Sequence, residues 1–253
     1  MVNNTILHFS FHKCITMYYG AVMSKVFGKR YEHFDSLRGD FLGKVHSLRA
    51  ASVNNVHVDL DRFGNARVSQ FVRDPRDLLV SGYFYHRDKG ESWTYIDDPT
   101  RNDWRVVNGA VPDLLPPGKS LTRHLNECSK ERGLLTELQF RRHHFETMRK
   151  IPKEDERLLL MRYEDLISNE VQSFWQLFQH YGLNLPAKLK GALFSHLYSA
   201  TSWYRRLKLN SGHIRNPASG KWEKYFTKPV KEKFKSEYND LLLKYGYETD
   251  CNW

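Results

Sequence analysis

Residues 71–86 read Phe-Val-Arg-Asp-Pro-Arg-Asp-Leu-Leu-Val-Ser-Gly-Tyr-Phe-Tyr-His. The apolar run Val68–Val72 predicts a strand, an Asp-Pro pair interrupts it, and a helix is predicted from Asp77. A strand that passes into a helix through a cationic turn often binds phosphate, with Arg73 as a forked donor and the Ser81 hydroxyl as a second donor. The alternative is an ordinary strand–turn–helix, with Asp77 as the helix cap and Arg73 in a surface ion pair.

Strands and helices alternate along the rest of the chain. The predicted strands are Thr5–Phe11, Val56–Leu60, Ala66–Val72 and Leu158–Arg162. The predicted helices are Thr16–Phe27, one helix carrying Leu134, Leu138, Phe145 and Met148, one from Val171 to Tyr181, and one from Val230 to Tyr245 that ends at Gly246. This alternation predicts an α/β fold, a single domain with a central, mostly parallel sheet flanked by helices.

Composition narrows the function classes. The chain has 253 residues, of which 27% are charged and 40% hydrophobic, as in a protein with a sizeable core. Its net charge of +10 favours polyanions, phosphorylated small molecules or acidic membrane surfaces as ligands. A non-enzymatic module that binds polyanions through basic surfaces such as Lys221–Lys235 is therefore one alternative.

Cys14, Cys128 and Cys251 are widely spaced and form no metal-ligand pattern, so we expect a reducing compartment and no bound metal. No apolar run reaches the length of roughly 18 residues that a membrane span needs. The start of the sequence lacks the basic region of a signal peptide. These observations together predict a cytoplasmic protein without a transmembrane segment.

Residues 92–120 are rich in proline and glycine and show little periodicity. A long loop of this kind is usually functional or disordered, so we consider it a candidate lid over an acceptor site. Trp93, Tyr95 and Trp104 could stack on a sugar or a phenol, and the basic segment Arg141–His144 could meet an anionic saccharide or lipid head group. The acceptor itself is not predicted beyond a small molecule, lipid or saccharide, and the oligomeric state stays open.

The first predicted strand runs into Phe-His-Lys-Cys-Ile-Thr, residues 11–16, and then into a helix. Helix N-terminal amides, Lys13 and the Thr16 hydroxyl together would suit a phosphate. A Walker A loop would need two glycines, and this loop contains none. A P-loop-type nucleotide or phosphoryl transferase therefore stays a second alternative.

Taken together, the two segments resemble the sulfotransferase family, whose members use 3′-phosphoadenosine 5′-phosphosulfate (PAPS). Lys13 and Thr16 match the loop that cradles the 5′-phosphosulfate in that family, and Arg73 and Ser81 match its Arg and Ser on the 3′-phosphate, with the same spacing of eight residues. A third match is Arg-Asn-Pro-Ala-Ser-Gly-Lys-Trp at 215–222, which keeps the Arg, the second Gly and the Trp of the family segment.

The resemblance implies a P-loop-NTPase-like sulfotransferase fold over the whole chain, with PAPS as co-substrate and no nucleic acid partner. The cofactor-binding residues that it implies are Lys13, Cys14, Ile15, Thr16, Met17, Arg73, Ser81, Tyr163, Thr201, Trp203, Arg215 and Asn216. The sequence departs from the family at Ile15, where Gly is preferred, and at Met17, where a second Thr is common. Because Ile disfavours positive φ, we expect Ile15 to be right-handed helical.

In sulfuryl transfer the leaving group is a phosphate, so a cation must meet the charge that develops on the bridging oxygen. Lys13 is the predicted catalytic cation. The acceptor hydroxyl needs a base, and the family resemblance points to His57 by its position, with Asp59 in reserve. Further candidates for the base are His12, His33, His46 and His86.

Overall fold

The structure is a computed structural model and describes residues 5–34, 41–56, 59–88, 90–199 and 220–253. The chain divides into two units. The sheet unit comprises Met1–Val72 and Pro152–Ala218, and the helical unit comprises Arg73–Ile151 and Ser219–Trp253.

The sheet unit contains a five-stranded sheet of order β2-β3-β1-β4-β5, in which every pair of neighbours is parallel. The strands are β1 (Ile6–Ser10), β2 (Tyr31–Phe34), β3 (Ala50–Asn54), β4 (Arg67–Val72) and β5 (Leu158–Arg162). The predicted α/β fold with a parallel sheet is therefore confirmed.

The position of one predicted strand is wrong. Val56, Asp59 and Leu60 lie outside any strand, and Leu60 opens a short 3₁₀ helix, whereas the strand of this region is Ala50–Asn54. Ala50, Ala51 and Ser52 are fully buried between two neighbouring strands. Small side chains suit this position because the strand is enclosed on both faces.

Helices of the sheet unit pack on both faces of the sheet. Phe9 and Leu7 of β1 belong to a core cluster with Phe41 and Val45, and Ile6 belongs to the cluster on the opposite face. The helices are α1 (Thr16–Phe27), α2 (Phe41–Lys44), α7 (Tyr163–Ser168), α8 (Glu170–His180) and α9 (Leu185–Leu197). Residues of α1, α8 and α9 all contribute to the cluster that contains Ile6.

The helical unit contains α3 (Pro75–Asp88), α4 (Leu121–Glu127), α5 (Lys130–Phe140), α6 (Arg142–Lys150) and α10 (Lys228–Tyr245). The sequence predicted a single helix through Leu134 and Met148, and this is wrong, because the chain breaks it at Arg141. Arg141 is fully buried and donates from Nε to Glu137 at 2.7 Å. Glu137 in turn lies 2.8 Å from Nδ1 of the buried His86 on α3.

Residues 92–120 pack against the helices of their own unit. Trp93 and Trp104 are buried, and their rings contact Phe140 at centroid distances of 5.5 and 5.3 Å. Nε2 of His144 is 2.6 Å from the carbonyl oxygen of Val107. The segment is thus tied to α5 and α6 by side chains, and its predicted role as a lid stays a prediction.

Candidate active site

At the carboxyl edge of the sheet lie the described residues of the sheet unit that the sequence predicts to bind the nucleotide. β1 lies between β3 and β4 in the sheet. The strands β2 and β3 lie on one side of β1, and the chain then passes to the other side to form β4 and β5, so the direction of strand addition reverses next to β1. In open α/β sheets, ligands bind outside the carboxyl ends of the strands at such a reversal. The loop that carries Lys13 follows directly after β1.

The backbone of this first loop (residues 11–16) has two left-handed residues. Lys13 has φ of 76° and Ile15 has φ of 52°. The expectation that Ile15 is right-handed is therefore wrong. A left-handed conformation costs an L-residue about 1–2 kcal/mol, and strained backbone of this kind concentrates at functional sites.

The left-handed Ile15 shapes the start of α1. Its carbonyl oxygen accepts from the N–H groups of Tyr18 at 2.9 Å and Tyr19 at 3.0 Å. Ile15 occupies the N-cap position, and its side chain has no oxygen to cap the first turn, so it leaves the N–H groups of Thr16 and Met17 without a side-chain cap from that position. An uncapped helix N-terminus beside a lysine suits an anion.

The remaining predicted residues of the loop differ in what they can offer. Cys14 is fully buried, and its N–H donates to the carbonyl oxygen of Phe11 at 2.9 Å, so it supports the loop from inside. Met17 has an exposed side chain. The Thr16 hydroxyl, which is half-buried, donates to the side-chain oxygen of Asn54 at 3.1 Å.

Two asparagines at the end of β3 support the loop, and sequence reasoning missed them. Asn54 accepts from Thr16, and Oδ1 of Asn55 accepts from the backbone N–H of His12 at 2.6 Å. Asn55 is itself left-handed, with φ of 58°, and its N–H donates to the carbonyl oxygen of Ser10. An Asn-Asn pair after an apolar run was the available signal, since Asn tolerates this conformation.

Tyr163 is buried at the first position of α7, directly after β5, and so lies at the same edge of the sheet as the first loop. His57, Thr201, Trp203, Arg215 and Asn216 lie outside the described residues.

In the helical unit, the helix that follows Arg73 begins earlier than the sequence predicts. The helix begins at Pro75, and Asp74 caps it by accepting from the N–H of Arg76 at 2.9 Å. A proline at the first helical position is favourable because its missing N–H would have no partner there. Arg73 is buried, so the alternative of a surface ion pair is wrong.

Ser81 lies in the second turn of α3 and is half-buried, further from the helix start than the sequence predicted. Asp77, one turn before it on the same face, is buried and does not cap the helix. Its carboxylate accepts instead from the N–H groups of Gly220 at 2.6 Å and Trp222 at 3.0 Å. The described end of the third motif is thus bound to the helix that carries Ser81.

The reserve candidates for the base have other contacts. Asp59 is exposed and caps a 3₁₀ helix by accepting from the N–H of Asp61 at 3.2 Å. His86 is fully buried beside Glu137, and Nδ1 of His33 lies 2.8 Å from the Ser52 hydroxyl. His46 is exposed in a 3₁₀ helix. His12 lies in the first loop, next to Lys13.

The groups predicted to meet an acceptor are mostly enclosed. Trp93 and Trp104 are buried, whereas Tyr95 is 56% exposed. Arg141 is buried as well, and the exposed Arg142 lies 3.5 Å from Asp113. Burial, with Arg101 and Arg142 nearby, lowers the pKa of His143. The basic segment is therefore less cationic than its sequence indicates.

Within the described ranges, no three His, Cys, Asp or Glu side chains form a cluster that could hold a metal ion. None of the helices in those ranges combines the length and apolar character needed to span a membrane.

A parallel sheet with a cationic, left-handed loop after its central strand defines an α/β protein of the kind that binds phosphorylated ligands. The family is shown by sequence: the chain belongs to the sulfotransferase domain family, whose sequence model matches residues 44–246. The match covers parts of both units and begins after the first loop. The predicted family is confirmed, and it favours a sulfotransferase over the P-loop-type phosphoryl transferase and over the non-enzymatic module that binds polyanions.

Solved structures show the same fold. A crystal structure of mouse sulfotransferase SULT7A1 complexed with PAP is 16% identical, with a TM-score of 0.50 over 96% of this chain and 84% of that one. Retinol dehydratase in complex with androsterone and the inactive cofactor PAP is 13% identical, with a TM-score of 0.54 over 96% of this chain and 81% of that one. A search of curated protein sequences finds no match.

Proposed function

We propose that this sulfotransferase moves the sulfuryl group of PAPS to a hydroxyl of a small molecule, lipid or saccharide. The observation that carries the proposal is the first loop, where Lys13 stands beside the N-terminus of α1 and the N-cap residue has no side-chain acceptor. A 5′-phosphosulfate suits such a group of donors. PAP in the two similar structures supports the same co-substrate.

PAPS supplies an activated sulfuryl group whose transfer leaves adenosine 3′,5′-bisphosphate (PAP). The acceptor oxygen forms the new bond to sulfur while the bond from sulfur to the bridging phosphate oxygen breaks. Lys13 stabilises the charge on that bridging oxygen, and the amides at the start of α1 hold the 5′-phosphate. The Thr16 hydroxyl donates its one proton to Asn54, so its proposed donation to the same group requires that this hydrogen bond be exchanged. Arg73 and Ser81 are the proposed ligands of the 3′-phosphate.

The first test of this function is ligand binding followed by transfer. PAP should raise the melting temperature of the protein, because a ligand that binds only the folded state stabilises it, whereas magnesium ADP should not. Transfer of labelled sulfate from PAPS to a panel of phenols, steroids, lipids and saccharides would then identify the acceptor. A protein that ignores PAP in this assay is not a PAPS-dependent enzyme.

His57 is the proposed base that removes the acceptor proton. His57→Ala should lower kcat by about 10² to 10⁴-fold while the affinity for PAP changes little, since the base does not hold the nucleotide. Asp59→Ala is the matched comparison, because Asp59 already caps a neighbouring helix. A normal rate in His57→Ala across the full pH range would move the base elsewhere, with His12 as the next residue to substitute.

The proposed location is the cytoplasm. Cys14, Cys128 and Cys251 are all free cysteines. Free thiols are typical of a reducing compartment. Fractionation of cells that express the protein would test the location, and recovery in a secreted or vesicular fraction would contradict it.

A further inference from the structure

Asp77 is a buried carboxylate that its own helix does not use. It lies in the first turn of α3 and is 2% exposed. The capping role belongs to Asp74, whose side chain accepts from the N–H of Arg76 and whose carbonyl oxygen accepts from the N–H of Leu78. Asp77 is therefore not needed to begin the helix, and its buried carboxylate has a different role.

Both carboxylate oxygens of Asp77 bind backbone from a distant part of the sequence. Oδ2 accepts from the N–H of Gly220 at 2.6 Å, and Oδ1 accepts from the N–H of Trp222 at 3.0 Å. These N–H groups stand at the start of the 3₁₀ helix Lys221–Lys224, where intrahelical acceptors are missing. Asp77 thus fixes this turn (residues 220–222) by two charge-assisted hydrogen bonds.

The side chain of Trp222, in the same turn, contacts a cation. The guanidinium of Arg76 lies 4.0 Å from the centre of a Trp222 ring and 4.5 Å from that of Trp253. It also pairs with the carboxylates of Asp74 and Glu248. Consecutive residues of α3 therefore hold the backbone and the side chain of the same turn.

Along the chain, Asp77 lies between Arg73 and Ser81, the two proposed ligands of the 3′-phosphate. Ser81 follows it by four residues and lies on the same face of α3. Arg73 precedes it by four residues and follows directly after β4. Burial raises the pKa of Asp77, Arg73 and the two N–H groups oppose this shift, Asp74 adds to it, and the net shift is upward.

A buried carboxylate is costly unless its partners compensate for lost hydration, so its retention here calls for a role. We propose that Asp77 is a positioning residue for the 3′-phosphate: it fixes the turn 220–222 along the face of α3 that carries Ser81. The proposal rests on the proposed function, because it takes Arg73 and Ser81 as ligands of that phosphate. Asp77 itself does not touch the nucleotide.

The test compares two nucleotides that differ only in the 3′-phosphate. Isothermal titration calorimetry would measure the affinity of the full chain for PAP and for adenosine 5′-phosphate. Asp77→Ala should weaken PAP binding by about 10 to 10²-fold, the usual range for losing interactions with a charged group. The affinity for adenosine 5′-phosphate should change less than about threefold, so the preference for the 3′-phosphate collapses.

Asp240→Ala is the matched control, since it removes an aspartate that pairs with Arg149 in the same unit and has no proposed role in binding. Asp77→Asn keeps one oxygen for one N–H group and should restore part of the preference. It also serves as the test variant if Asp77→Ala does not fold. Equal losses for both nucleotides, or no loss for either, would overturn the positioning role. A wild-type protein that binds neither nucleotide would instead refute the proposed function.

Discussion

The first loop and the start of α3 (residues 73–81) are the two segments proposed to hold phosphate, and they are built differently. In the first loop, the backbone conformation of Lys13 and Ile15 carries the arrangement, and most of its residues are only half-buried. At the start of α3, residues 73–80 are all buried and the arrangement depends on ionised side chains such as Asp74 and Arg76.

This difference decides what a substitution can reveal. A site made of backbone amides tolerates changes of side chain, provided that the same φ and ψ are kept. A site made of buried charged side chains does not tolerate such changes, because removal of one charge leaves its partner buried without a compensating charge. The comparison predicts that Lys13 is the one residue of the first loop whose side chain is indispensable.

The largest effect is expected for Lys13→Ala. Turnover should fall by about 10³-fold, in the range seen when a single donor to the transition state is removed. PAP binding should weaken much less, since the amides at the start of α1 remain. Lys25→Ala, which removes an exposed lysine of the same helix, is the control and should leave kcat unchanged. Kinetics of Lys13→Ala at wild-type rates would remove Lys13 from catalysis.

Arg73→Ala should have the next largest effect, and on affinity rather than on rate. Loss of the guanidinium should weaken PAP binding by about 10²-fold, as expected for a charged hydrogen-bond donor. Arg73→Lys keeps the charge but not the forked geometry, and should recover only part of that loss. Arg67→Ala, an exposed arginine on the strand that leads to Arg73, is the control in calorimetry. An undiminished affinity in Arg73→Ala would show that the 3′-phosphate binds elsewhere.

Much of this comparison could be predicted from the sequence, because it concerns the chemistry of side chains. The parallel sheet, predicted from the alternation of strands and helices, is confirmed. Lys13, Arg73 and Ser81 follow from their residue types, their spacing and the family resemblance, and their roles stay predictions. The left-handed Ile15 could not be identified, since its own steric preference opposes the conformation that the loop imposes.

The local sequence pattern also predicts the wrong strand where burial in the folded chain determines which residues form it. Residues 56–60 alternate as an exposed strand would, yet the true strand β3 begins with Ala50, Ala51 and Ser52, which are small, fully buried and of low strand propensity. The hydrogen bond from the N–H of Gly220 to the carboxylate of Asp77 joins residues 143 positions apart, so no local sequence pattern predicts it. Such contacts become visible only in the folded chain.

A third prediction concerns the buried polar groups of the two units. In the helical unit, Glu137 stays ionised. Burial raises its pKa, but His86 and Arg141 lower the pKa by more than burial raises it, so the net shift is downward. In the sheet unit, His8 on β1 is neutral, because burial and the nearby His33 hold its pKa well below the usual 6.5. His8 stacks on Tyr19 and lies 2.7 Å from the Ser69 hydroxyl.

The sign of the His8 effect follows from linkage. The unfolded chain protonates this histidine near pH 6.5 and the folded chain does not, so stability is complete above that pH and is lost as the pH falls below it. The loss is at most about 1.4 kcal/mol per pH unit. Denaturant unfolding between pH 7.5 and 5.5 would measure it. His8→Gln should flatten the slope and the exposed His46→Gln should not; equal slopes in all three proteins would contradict a neutral, buried His8.

The smallest effect tests the backbone character of the first loop directly. At ordinary helical positions alanine is more stable than glycine by about 1 kcal/mol, and Val26 of α1 should follow that order. At the left-handed Ile15 the order should reverse, with Ile15→Gly more stable than Ile15→Ala by about 1 kcal/mol, because only glycine adopts φ of 52° without strain. Thermal or denaturant unfolding of the four variants measures both differences. If glycine were the less stable substitution at both sites, the loop would not hold Ile15 in a strained conformation. The first loop would then not depend on its backbone conformation, and it would not differ in this respect from the start of α3.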